Sequence, residues 1–167
     1  MGGALAILVF AAILVFAFSA GGGSKGSSAS ELATEKKADI YEISQIERSF
    51  HEAISKQDIN EMVGLFASHA TGTFGPGKTV TGKKQIAGFW LKSKMWKPTT
   101  HWLSDHPAYK LKVAVDGDRG TLHFECHFID VDTGKIAALT AGNLDVAKID
   151  GHWLITNFVG STTELKI

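Results

Sequence analysis

His101, in the run Thr100-His101-Trp102-Leu103, is the residue whose type and setting best suit proton transfer. In a strand, Thr99, His101, Leu103 and Asp105 share one face, and apolar Leu103 on that face turns the imidazole inward. An imidazole in a partly apolar pocket works as a general acid or base near neutral pH, because its ordinary pKa lies close to that range. The same residue type also serves as a hydrogen-bonded core or rim group. Asn143 and Asn157, where they project among apolar neighbours, need partners that a ligand or a bound water would supply. Phe74, Phe89, Trp90, Trp153 and Ile155 face the interior by periodicity. Most are core, and one or two of them around an incompletely filled interior would wall a pocket for a flat apolar ligand.

Other patterns carry less chemistry. Gly72-Thr73-Phe74-Gly75-Pro76-Gly77-Lys78-Thr79 fits the phosphate-binding pattern G-x-x-x-x-G-K-T letter by letter. Such a loop must run from a buried parallel strand straight into a helix, whereas Val80, Thr81 and Gly82 intervene here. The segment therefore reads as a glycine-rich hairpin with Lys78 in solvent. His123, Glu125 and His127 aim three potential metal ligands to one side of a strand. Residues i and i+4 of a strand lie about 13 Å apart, so both histidines cannot readily hold one ion, and an outer, solvated or partner-facing surface is the simpler reading. A carboxylate opposed to a phenol, which enolate chemistry needs, is not offered: Tyr109 and Asp105 fall near strand ends and Tyr41 on the first helix.

The elements that must position these residues follow from periodicity. Ile40, Ile43, Ile46, Phe50, Ala53 and Ile54 recur every three or four positions, the stripe of a long helix. Asp58 with Glu61 is a capping-box pattern, and Ile59, Met62, Val63 and Phe66 continue a second helix. Thr81 is a similar cap, ahead of a third helix with Ile86, Phe89 and Trp90 on one face that ends near Lys97-Pro98. Beyond Pro98 the period becomes two, with turns at Asp116-Gly117, Asp132-Thr133-Gly134 and Asp150-Gly151. Tyr109, Leu111, Val113 and Val115 alternate with Lys110 and Lys112, as Leu122, Phe124, Cys126 and Phe128 do with His123, Glu125 and His127. Three N-terminal helices laid over a strongly curved, mostly antiparallel sheet predict an α+β cone enclosing a pocket.

These motifs, in this order, resemble the SnoaL-like members of the NTF2-like (cystatin-like) superfamily. The likeness is carried by Ile46 to Ala70 with its Ser55-Lys56-Gln57-Asp58 break, the Gly82 to Trp90 helix and Thr100-His101-Trp102-Leu103. Val115-Asp116-Gly117-Asp118 and Ile149-Asp150-Gly151-His152-Trp153-Leu154-Ile155 complete it, over roughly residues 38–162. The fold hosts isomerases, dehydratases, ligand carriers and oligomerisation modules. The His101 segment is similar to the histidine-bearing strand of the scytalone dehydratase branch, and the resemblance implies that Asn143 is a pocket asparagine. That branch's second histidine falls at or beside Cys126, with His127 one residue off, and its Tyr-Asp pair falls at Ile54 and Ser55.

Composition sets the remaining bounds. Lys plus Arg and Asp plus Glu are both 17 in the 167-residue chain, which gives no electrostatic reason to bind nucleic acid. Cys126 is the single cysteine, so no intramolecular disulfide can form. Residues 4–18 are uninterrupted apolar, yet as a helix they fall several ångströms short of a ~30 Å hydrocarbon core, and Ser19, Ala20 and Gly21 follow. Residues 1–20 are expected to be an export signal or an uncleaved membrane anchor, 21–35 a flexible Gly/Ser-rich linker, and 36–167 the domain. The expected protein is secreted or periplasmic and homodimeric. It binds a small, mostly apolar molecule between Phe74, Trp90 and Trp153, with His101, Asn143 and Asn157 as polar contacts and with no metal or cofactor. Two other readings are a cofactor-independent lyase or isomerase in which His101 moves a proton, and a homodimerising interaction module whose outer sheet face carries Lys110, Lys112, His123 and His127.

Overall fold

The computed structural model describes residues 28–104 and 108–166. The apolar run 4–18 and Asp105 lie outside the described residues, among which no helix is long and apolar enough to cross a membrane. Helix α1 spans Ala29–Lys56 and begins inside the segment expected to be a linker. The reason is a capping box: the Glu31 backbone N–H donates to Ser28 Oγ at 3.2 Å, and the Ser28 N–H donates to Glu31 Oε2 at 2.6 Å. Helix α1 ends at Gln57, which takes a left-handed conformation at φ 56°. Helix α2 (Ile59–Gly64), capped by Asp58, is shorter than its apolar stripe suggests, because Phe66 already belongs to strand β1 (Phe66–Phe74). A hairpin through Gly75 and Gly77, both at positive φ, joins β1 to β2 (Lys78–Thr81), so the phosphate-loop look-alike is an antiparallel turn with Lys78 exposed.

Helix α3 (Lys83–Trp90) starts from Gly82 rather than Thr81 and is followed by a separate 3₁₀ turn at Lys94–Trp96. The remaining strands are β3 (Trp102–Ser104), β4 (Lys110–Asp116), β5 (Arg119–Asp130), β6 (Lys135–Ile149) and β7 (His152–Glu164). They form a sheet ordered β2-β1-β7-β6-β5, with β4 and β3 sharing the far edge of β5. Every pairing is antiparallel except β1 with β7, so the sheet is mixed though largely antiparallel. Helix α1 crosses β3, β4, β5 and β7, and α3 covers β1 and β2; among the described residues no helix covers the other face of the sheet.

Register irregularities at Phe66/Thr71, Phe128/Ile129 and Asp145/Val146 bend the strands over α1. Glycine does the rest. Gly142 and Gly160 face each other across β6 and β7, and the rings of Phe124 and Phe158 lie where their side chains would stand. A Cβ at Gly142 would sit 2.4 Å from Phe124 Cε1, so Gly142→Ala should destabilise by about 1–3 kcal/mol through overpacking. Gly88→Ala, in α3 with nothing within 4 Å, should gain up to about 1 kcal/mol of helix propensity instead. Urea unfolding of the two variants should therefore move in opposite directions, and a common direction would contradict the ring-over-glycine packing.

The core is aromatic. Ile43, Ile46, Phe50, Ala53 and Ile54 of α1 meet Phe66, Leu122, Phe124, Phe128, Leu144, Val146, Ile155 and Phe158. Tyr109, expected on the apolar face of β4, is exposed and stacks on His127 with ring centroids 4.5 Å apart.

Candidate functional site

Where α3 and the 3₁₀ turn close over the ends of β1, β6 and β7, the interior is incompletely filled and leaves a cavity of about 210 Å³. Its walls are Phe74, Phe89, Trp90, Met95, Trp102 and Phe158. Phe74 stacks on Phe89 at 4.4 Å and meets Trp90 edge-on at 5.1 Å, which holds this wall in one arrangement. Lys94 also lines the cavity; its Nζ lies 5.0 Å from the Trp102 ring centroid and donates to Glu164 Oε2 at 2.5 Å. Thr140 lines it too, bonded through its hydroxyl to Thr162 at 3.0 Å. Two lining residues hold polar atoms in an unusual state: Trp90 Nε1 and Ser93 Oγ are buried without a hydrogen-bond partner among the described residues. Each such group costs about 1–3 kcal/mol unless something meets it.

Of the residues expected at the site, Phe74 and Trp90 line this cavity and the other four do not. His101 is exposed, and its Nδ1–H donates to Asp132 Oδ2 at 2.9 Å on the surface. Alternation on β3 holds as expected, with His101 and half-exposed Leu103 on one side, but that side faces solvent. The indole of Trp102, packed 6.2 Å from Phe128, takes the inner side because it removes more apolar surface from water than leucine does. His101 therefore does not reach the cavity. Asn143 and Asn157 alternate with inward Leu144 and Phe158 and so lie on the outer face. Asn143 meets His123 at 2.8 Å, while Asn157 accepts from Thr71 at 2.8 Å and donates to Asp145 at 3.1 Å.

Trp153 is buried away from the cavity, where its Nε1–H donates to Asp39 Oδ1 at 2.9 Å. Lys148 donates to the same oxygen at 2.7 Å and, with the indole N–H, keeps the Asp39 carboxyl below its ordinary range despite burial. This cluster clamps α1 to β6 and β7. On the outer face, Glu125 takes bonds from Lys110, from Tyr109 at 3.1 Å and from His123 at 3.1 Å. Lys110 and then His123 hold its carboxyl down at about 2. Lys110 and His123 thus occupy the charge that the His-Glu-His alternation offered to a metal, and no group of three such ligands is arranged for an ion among the described residues.

Sequence reasoning missed a buried polar array behind the cavity. Glu47, His51 and Cys126 are essentially inaccessible to solvent, at 2%, 0% and 0%. His51 Nδ1 lies 2.9 Å from both the Glu47 carbonyl oxygen and Glu47 Oε1, and the carbonyl takes the hydrogen bond. A carbonyl only accepts, so Nδ1 carries the proton, and in the neutral ring Nε2 offers a lone pair. Cys126 Sγ stands 3.0 Å from that Nε2. The rings of Phe50, Phe124 and Phe128 surround the imidazole at 5.3, 4.8 and 5.8 Å. Burial opposes charge on His51, but its bonds to Cys126 and Glu47 outweigh that and raise its pKa to about 9. The signal was present in the sequence: Glu47 and His51 are four apart within the apolar stripe, and Cys126 alternates in phase with Phe124 and Phe128.

Comparison with known proteins places this geometry in a family. No curated protein matches. An NTF2-like protein of unknown function from Pseudomonas putida KT2440 superposes with TM-score 0.66 at 17% identity, covering 75% of this chain and 87% of its own. A hexachlorocyclohexane dehydrochlorinase, LinA-type3, from Novosphingobium barchaimii superposes with TM-score 0.64 at 15% identity, covering 80% of this chain and 94% of its own. A ketosteroid isomerase-like protein from Erwinia carotovora atroseptica gives TM-score 0.60 at 14% identity, covering 77% of this chain and 98% of its own. At these identities the likeness is one of fold, and it is the NTF2-like, cystatin-like fold. The family model of the SnoaL-like domain matches residues 35–159, and with the helices, sheet order and interior cavity described above, the chain belongs to the SnoaL-like domain family.

Proposed function

We propose that this domain binds a small, mostly apolar molecule of one or two fused rings, carrying one hydrogen-bonding group, in the cavity between Phe74, Trp90, Trp102 and Phe158. The observation that carries this reading is the pairing of apolar walls with two buried polar atoms, Trp90 Nε1 and Ser93 Oγ, that lack partners among the described residues. Size supports it: the cavity is about 210 Å³, and an apolar cavity of roughly 150 Å³ already accepts benzene. The hydrogen-bonding group of the ligand meets the indole N–H or the serine hydroxyl, and the rings stack among the aromatic walls.

Tryptophan fluorescence titrations with 2-naphthol and naphthalene test this directly. The naphthol should bind about tenfold more tightly than naphthalene, the worth of one hydrogen bond that relieves a buried unpaired donor. Trp90→Phe keeps an aromatic wall and removes the N–H, so the preference should shrink to about threefold or less. Failure of both probes to quench up to their solubility limits, or an unchanged preference in the folded variant, would rule the proposal out.

A further inference from the structure

We propose that Cys126 is a nucleophilic thiol with His51 as its base and Glu47 as the group that orients the base, forming a second reactive site behind the cavity floor for small uncharged electrophiles with an activated carbon–carbon double bond. The inference rests on the cavity reading above for its route of access. An activated nucleophile is recognised by a base within hydrogen-bond reach that is itself oriented by a third group. Here Sγ stands 3.0 Å from His51 Nε2, while Nδ1 is tied to Glu47 at 2.9 Å. That tie fixes the tautomer whose bare Nε2 can take the thiol proton. The carboxylate 2.9 Å away then faces the resulting imidazolium, in agreement with the raised His51 pKa of about 9.

Cys126 and the cavity are adjacent. Cys126 pairs directly with Thr140 across β5 and β6, and Thr140 lines the cavity. Side chains so paired share a face with Cβ atoms about 4.5–5.5 Å apart. Trp90, buried in the wall of the same cavity, keeps an indole N–H without a partner among the described residues, which points independently to a ligand carrying a hydrogen-bond acceptor. An α,β-unsaturated carbonyl compound supplies both features. In the reaction His51 Nε2 takes the thiol proton, Sγ bonds to the β-carbon, and the π electrons move toward the carbonyl as an enolate. The proton then passes from His51 to the α-carbon, so that S–H has added across C=C with no co-reactant.

N-ethylmaleimide, a small neutral enone, is the probe, and because Cys126 is the sole cysteine every thiol adduct reports on it. At pH 6 the folded protein should form the adduct at least about tenfold faster than the same chain in urea, and its rate should stay nearly level from pH 6 to 8. The unfolded chain, with an ordinary thiol pKa of about 8.5, should instead gain about tenfold per pH unit. His51→Gln should bring the folded rate down at least tenfold at pH 6, checked beside a circular dichroism spectrum. A folded wild-type rate no greater than the unfolded one would mark Cys126 as a shielded core thiol and overturn the proposal without any variant. An unchanged rate in folded His51→Gln would overturn it as well. Saturating 2-naphthol should slow adduct formation, and a rate indifferent to bound naphthol would overturn the cavity as the route. Naphthol binding is measured separately on Cys126→Ser, so loss of binding and loss of thiol reactivity are told apart.

Discussion

Phe50→Ala should cost about 3–5 kcal/mol of folding stability, a large part of the roughly 5–15 kcal/mol that holds a domain of this size together. Phe50 is 1% exposed and its ring lies 5.2 Å from Phe158, 5.5 Å from Trp90, 6.3 Å from Phe124 and 6.5 Å from Phe66. It therefore joins α1 to α3, β1, β5 and β7 at one point. Those neighbours are pinned by their own contacts, Phe158 over Gly160 and Phe124 over Gly142, so they cannot collapse into the vacated space. The midpoint temperature should fall by roughly 10–20 °C in calorimetry. A loss below about 1 kcal/mol would mean that the aromatic cluster rearranges freely, contrary to the packing described.

The second large effect is one of pH. The folded His51 binds its proton with a pKa of about 9, against an unfolded value of 6.5. A group whose pKa is raised by folding stabilises fully below the unfolded value, and the contribution is lost as pH rises through the folded value. For the imidazole alone, stability declines from about pH 6.5 to pH 9 by on the order of 3 kcal/mol. A proton drawn from Cys126 rather than from solvent offsets this up to the ordinary thiol pKa of about 8.5, so the wild-type fall is concentrated above that. Glu47→Gln removes the carboxylate that faces the imidazolium and should flatten part of this slope, the bond to Cys126 being the larger cause of the raised pKa. Urea unfolding from about pH 6.5 to 10 provides the measurement, and a wild-type stability that does not fall above about pH 8.5 would contradict the assigned charge on His51.

Much of the architecture was legible in the sequence because it is written in spacing. The α1 stripe, the Asp58 cap and the three turns at Asp116, Asp132 and Asp150 placed helices and hairpins where they occur. Alternation also sorted β5 correctly, with Phe124, Cys126 and Phe128 inward and His123, Glu125 and His127 outward. What alternation cannot supply is sign. On β3 it grouped His101 with Leu103, yet the larger indole between them took the interior and left both outside. Asn143 and Asn157 stand outside the cavity for the same reason: each neighbours a large apolar residue, Leu144 or Phe158, that claims the buried side. Glu47 and His51 were passed over because charged and titratable residues in a helix are ordinarily assigned to the solvent face. Their partner, Cys126, is 75 or more residues away and comes near only through the fold.

The glycine pair under Phe124 and Phe158 restricts how the cavity of this domain could be reshaped. Phe158 fills the gap above Gly160 and floors the cavity, and Phe124 fills the gap above Gly142 and presses on His51 at 4.8 Å. Trimming either ring to admit a bulkier guest would strip cover from a bent strand, so enlargement from below carries a folding penalty. Residues on the opposite rim, such as Phe89, Met95 and Lys94, back no glycine. Divergence in cavity shape should accordingly accumulate along α3 and the 3₁₀ turn, while the strand floor stays fixed.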